Sequence, residues 1–152
     1  MSQAPSPARR SAPHGGRVDA TGAVTVWLRW SVSHPRWGTE HIEVRRDGQV
    51  NYHLETPAHR QAQATQATLQ LDTNTHARLQ ARMAHCKPCS LRSLRSAQGP
   101  DESRPQLWLD TPSMQCRVRL WFGEWMQQQA LACTTLIGAL RARLKAASSP
   151  LF

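Results

Sequence analysis

The four cysteines are the residues of this sequence with the widest chemical reach, and two of them form Cys86-Lys87-Pro88-Cys89, preceded directly by His85. Thiolates three positions apart can share one metal ion, and His85 with Cys116 would complete the tetrahedral set that structural zinc takes. Zinc modules of this kind ordinarily carry a second close pair, whereas Cys116 and Cys133 stand well apart, so zinc ranks behind a plainer reading. A thiol–disulfide catalyst needs Cys-x-x-Cys at the start of a helix, where the dipole lowers the thiol pKa. Here a helical pattern ends at the motif and Pro88 interrupts any continuation of it. The plainer reading is structural. Cys116 lies on the apolar alternation of a strand and Cys133 on the apolar stripe of a helix, where a free cysteine packs as a small hydrophobe. In an oxidising compartment four cysteines pair in any of three ways, and spacing does not choose among them.

Charge is the second chemical feature, because 19 Lys and Arg against 10 Asp and Glu leave a net charge of +9, and only Lys87 and Lys145 are lysines. No acid interrupts Arg78, Arg82, Lys87, Arg92 and Arg95, which His76 and His85 accompany. Guanidinium forks grip phosphate bidentately, and clustered positive charge draws polyanions. Trp27 and Trp121 alternate with Arg29, Arg117 and Arg119 on strand faces expected to point outward, a combination on which single-stranded bases stack. The candidate anion or nucleic-acid surface is therefore Arg78, Arg82, Lys87, Arg92, Arg95, Arg117 and Arg119. A basic surface that is only solvated explains the same residues, as do tryptophans that cover a second sheet face. No helix-turn-helix, zinc-finger or RNP-type motif accompanies them.

Catalytic signatures are missing: there is no Gly-x-Ser-x-Gly elbow, no glycine-rich phosphate loop and no His-Glu-x-x-His. The histidines at 14, 34, 41, 53, 59, 76 and 85 are scattered, and the adjacent acids Asp101 and Glu102 sit beside Pro100 and Arg104 as in a solvated turn. The expectation is a non-catalytic binding or accessory module without a cofactor, its partner a protein. A nucleic-acid or other polyanion partner is the alternative, and a zinc-stabilised small domain held by Cys86, Cys89, His85 and Cys116 the third reading. No run approaches the roughly 18 apolar residues of a membrane helix. No apolar stretch of secretory type comes after Arg9-Arg10 either, which sets the expected location as cytoplasmic.

The elements that must position these residues emerge from periodicity. With 152 residues the chain has room for one ordinary domain. Pro5, Pro7, Pro13, Gly15, Gly16 and Gly22 with no apolar run mark residues 1–22 as a disordered basic arm. From Val24 to Ser33 apolar and polar residues alternate with the period of a half-buried strand, ended by His34-Pro35-Arg36-Trp37-Gly38. Ile42 and Val44 alternate up to Asp47-Gly48, and Val50, Tyr52 and Leu54 after it, which predicts a hairpin closed by a type I′ turn. A short strand at Ala67, Leu69 and Leu71 precedes Asp72, placed as a helix N-cap. Leu79, Met83 and Cys86 then form the apolar stripe of a helix stopped before Pro88. Leu107 and Leu109, and after them Met114, Cys116, Val118, Leu120 and Phe122, predict a second hairpin. Cys133, Ile137, Leu140 and Leu144 fall at i, i+4, i+7 and i+11 of a closing helix. Hairpins rather than βαβ crossovers imply an α+β domain over residues 23–146, with an antiparallel sheet of five or six strands packed by two helices and a frayed tail at 147–152.

The stretch Ile42-Glu43-Val44-Arg45-Arg46-Asp47-Gly48-Gln49-Val50-Asn51-Tyr52, a helix, and Asp101-Glu102-Ser103-Arg104-Pro105 leading into Leu107-Trp108-Leu109 resembles an uncharacterised small bacterial α+β domain family. The resemblance covers roughly residues 24–144 and implies the order hairpin, helix, polar loop, second hairpin and closing helix. Members of that family are often exported or lipid-anchored. The resemblance carries no catalytic residues.

Overall fold

The computed structural model describes residues 25–56, 64–94 and 102–148. The expected arm, Arg95 and most of the expected tail lie outside these. Six strands form where apolar and polar residues alternate: β1 (Val26–His34), β2 (Gly38–Arg45), β3 (Gln49–Glu55), β4 (Ala64–Gln70), β5 (Gln106–Thr111) and β6 (Met114–Arg119). All are antiparallel in one sheet of order β4-β3-β2-β1-β5-β6. Two substantial helices, α1 (Thr73–His85) and α3 (Gln128–Ser148), complete the expected α+β domain, with a short α2 (Phe122–Trp125) between β6 and α3.

Asp72 caps α1, its carboxylate accepting from the Thr75 amide at 2.7 Å and the Thr75 hydroxyl at 2.9 Å. Those bonds hold its pKa below the ordinary carboxylate value. The β2–β3 hairpin is present but not closed by a type I′ turn. Within this connection only Gly48 takes a positive φ, 89°, while its amide donates to the Arg45 carbonyl. Arg46, Asp47 and Gly48 thus make a three-residue connection ending in a left-handed glycine.

One face of the sheet carries the core. Leu28, Trp30, Ile42, Val44, Val50, Leu107, Leu109 and Val118 pack there against Leu79 and Met83 of α1 and Cys133, Ile137, Leu140 and Leu144 of α3. Full burial of each such aliphatic chain stabilises by roughly 1.5–3 kcal/mol, enough to fix both helices on this side. Two tryptophans expected on the outer faces are buried instead. The pairing of β1 with β2 slips between Val26 and Leu28, a bulge that turns Trp27 inward with its neighbour. Trp27 is fully buried, its Nε1 donating to His76 Nε2 on α1 at 2.9 Å. Trp121 lies past the end of β6 as the N-cap of α2 and is buried as well.

Candidate functional site

Because side chains alternate across a strand, the residues between the core positions form a second face, which no helix among the described residues covers. Arg29, Ser31 and Ser33 of β1 stand there with His41 and Glu43 of β2, Asn51 and His53 of β3, Gln66 and Thr68 of β4, Gln106 and Trp108 of β5, and Arg117 and Arg119 of β6. All are exposed or half-buried. Register sets them in rows. Glu43, Arg29, Trp108 and Arg117 are successive cross-strand neighbours from β2 to β6, and His53, His41, Ser31, Gln106 and Arg119 make the next row.

The first row has defined chemistry. Arg29 Nε lies 3.2 Å from a Glu43 carboxylate oxygen, and its guanidinium sits 5.0 Å from the centroid of the Trp108 ring. Trp108 is therefore held under one cation with Arg117 directly opposite on the edge strand. Arg117 and Arg119 are exposed and have no ion-pair partner among the described residues. In the second row the His41 and His53 rings are 6.3 Å apart, and His53 Nε2 lies 3.2 Å from a Glu55 oxygen. Such a face offers cations, donors and one aromatic plane to a partner lying flat on it. Sequence reasoning misses Trp108 as a site residue, although its place between the inward Leu107 and Leu109 is a signal that it points outward.

The predicted anion site divides in two. Arg78 and Arg82 are exposed on α1, on the helix side of the sheet, and Lys87 is exposed just beyond. Arg92 turns back on its own backbone, donating to the Cys89 and Leu91 carbonyls at 3.0 and 2.9 Å. Arg117 and Arg119 stand on the opposite face, so the described candidates do not share one surface.

The cysteines converge at the end of α1. Cys89, in a 3-10 turn over Pro88–Ser90, is joined to Cys116 of β6 in a disulfide with a Cα–Cα distance of 5.6 Å. Cys116 is thus not the unpaired packing residue that its alternation suggests. Two of the four candidate zinc ligands are bound to each other and offer no thiolate. Among the described residues no three His, Cys, Asp or Glu are placed to hold a metal ion. Cys86 lies against the buried Cys133 of α3, whose thiol pKa is pushed up to about 12 by burial and then by the neighbouring Cys86. No helix among the described residues is long and apolar enough to cross a membrane.

No known family model matches this chain, and no curated protein matches it.

Proposed function

We propose that this protein is a non-catalytic binding module that docks an acidic protein partner on its uncovered sheet face, centred on Trp108, Arg29, Arg117 and Arg119. The observation that carries the reading is the row in which Trp108 lies between Arg29 and the unpaired Arg117. Tryptophan and arginine are the side chains that most often dominate protein interfaces, because each combines large contact area with few rotamers lost or with planar donors. A continuous nucleic-acid track is less favoured: the cations are divided between two sides of the sheet, and Glu43, Glu55 and Asp110 interleave with those on the open face.

Compartment enters through Cys89–Cys116. Structural disulfides persist where the surroundings oxidise, so this bond supports an oxidising compartment over a reducing cytoplasm. An exported role accords with the domain family that the chain resembles.

The test is a nitrogen-labelled sample titrated with a poly-glutamate peptide and, separately, with an oligothymidine. Shifts at the Trp108 indole and the Arg117 and Arg119 amides, produced by the peptide and abolished in R117E/R119E, support the reading. A stronger response to the oligonucleotide, or shifts confined to Arg78 and Arg82, would overturn it in favour of nucleic acid.

A further inference from the structure

We propose that Cys86 and Cys133 form a second disulfide, so that the oxidised domain is stapled twice from the end of α1, once to the sheet and once to α3. Four cysteines allow three pairings, and the Cys89–Cys116 bond removes the two in which either residue pairs elsewhere. What remains joins Cys86 to Cys133. Geometry agrees with the elimination. Cys86 is the C-cap of α1 and packs against the core cluster that contains Cys133. It also shares a groove with Ala132 and Leu136, the residues immediately before Cys133 and one turn after it on α3. Within this contact Cys86 is near enough to Cys133 to raise the pKa of its thiol, which places the two side chains beside each other between the end of α1 and α3.

Access is one-sided. The groove, about 410 Å³ and open to solvent, is lined by Arg82 and His85 of α1 and by Cys86 at its C-cap, whereas Cys133 is fully buried. A disulfide-carrying oxidant, either a small molecule such as oxidised glutathione or a protein disulfide, therefore meets Cys86 first. The Cys86 thiolate attacks one sulfur of the oxidant, forming a mixed disulfide and releasing one thiolate. Cys133 then loses its proton as its sulfur attacks Cys86, closing the Cys86–Cys133 bond and releasing the second thiol. Two protons and two electrons pass to the oxidant, which becomes two thiols. This step is independent of what docks on the open sheet face.

The experiment incubates the folded protein with oxidised glutathione, counts free thiols by alkylation in denaturant, and maps linked peptides by trypsin without reduction. Arg82 and Arg92 bound one peptide that contains both Cys86 and Cys89, so two disulfides join three tryptic peptides into a single species. The expected result is that species, with free thiols falling from the two of Cys86 and Cys133 to none and with fragmentation between Cys86 and Cys89 placing the Cys133 peptide on Cys86; the Cys133 peptide on Cys89 would overturn the proposal. Two remaining thiols with only the Cys116 peptide attached would overturn the proposal, as would a Cys86–Cys89 bond within one peptide. C86S serves as the control, retaining one free thiol, at Cys133, beside the intact Cys89–Cys116 bond.

Discussion

Arg141 of α3 grips Glu40 of β2 with both ends of its guanidinium, Nε and Nη2 lying 2.9 and 2.8 Å from the two carboxylate oxygens. The residues are 101 positions apart, and the pair fastens the closing helix to an interior strand. Glu40 supports Arg141 first through these hydrogen bonds, which raise the arginine pKa. The Tyr52 hydroxyl donates to the same carboxylate at 3.3 Å, and burial, then the Glu40 charge, raises the tyrosine pKa. The side chains are 13% and 31% exposed for Glu40 and Arg141, so water screens the arginine in part. E40A should destabilise the domain by about 2 kcal/mol, below the cost of breaking a fully buried pair. A double-mutant cycle with R141A in urea denaturation measures the coupling directly. A coupling near zero would mean that α3 is held by its apolar stripe alone.

Two glycines should respond in opposite directions to the same substitution. Gly38 opens β2 with φ at 104°, and a Cβ there would stand 1.9 Å from the Glu55 carbonyl oxygen. Backbone cannot yield that distance without breaking the end of the β2–β3 ladder, so G38A should cost more than about 2 kcal/mol. Gly138, inside α3, has nothing within 4 Å of the same added atom. Alanine restores helix propensity there, and G138A should raise stability by roughly 0.5–1 kcal/mol. Thermal melts of the two variants decide both statements.

Glu124 is a buried carboxylate that accepts from the Ser93 hydroxyl and the Leu94 amide at 2.7 Å each and from the Trp121 amide at 2.9 Å. It clamps the segment that leaves the disulfide turn onto the start of α2. E124A leaves those donors without their acceptor and should cost about 3 kcal/mol, with E124Q between the two because it keeps one acceptor oxygen. Hydrogen exchange at the Leu94 amide should accelerate in E124A before global unfolding does. Unchanged protection at Leu94 would show that the turn is held by the Cys89–Cys116 bond without the clamp.

What sequence can and cannot disclose divides along physical lines. The stripe Cys133, Ile137, Leu140 and Leu144, the Asp72 cap and the β2–β3 hairpin depend on neighbours within a few residues, and all are present. Alternation sends Trp27 to the wrong side because a bulge arises from how β1 meets β2, not from β1 alone. Glu124 is invisible in sequence because its partners Ser93 and Leu94 are about thirty positions away. Alternation does point Trp108 outward, yet its role depends on Arg29 from the adjoining strand. Composition counts the basic residues, but which side of the sheet each occupies is set only when the helices dock. The same is true of the choice among three cysteine pairings.

In fully reduced protein, Cys133 makes stability fall on the alkaline side. Burial, then the adjacent Cys86, raises its pKa from an ordinary 9.0 to about 12 in the folded chain. A folded pKa above the unfolded one means that the native state holds its proton longer. The associated stability is complete below about pH 9 and is lost as pH rises from there toward about 12. One proton sets an upper slope of about 1.4 kcal/mol per pH unit. Urea denaturation in excess reductant at several alkaline pH values measures that slope, and C133A should lack this component although it starts from lower stability. Once Cys133 is joined to Cys86 there is no thiol to titrate, so oxidised protein should lack the component too. An identical alkaline slope in reduced wild type and C133A would place the loss on other groups, Tyr52 among them.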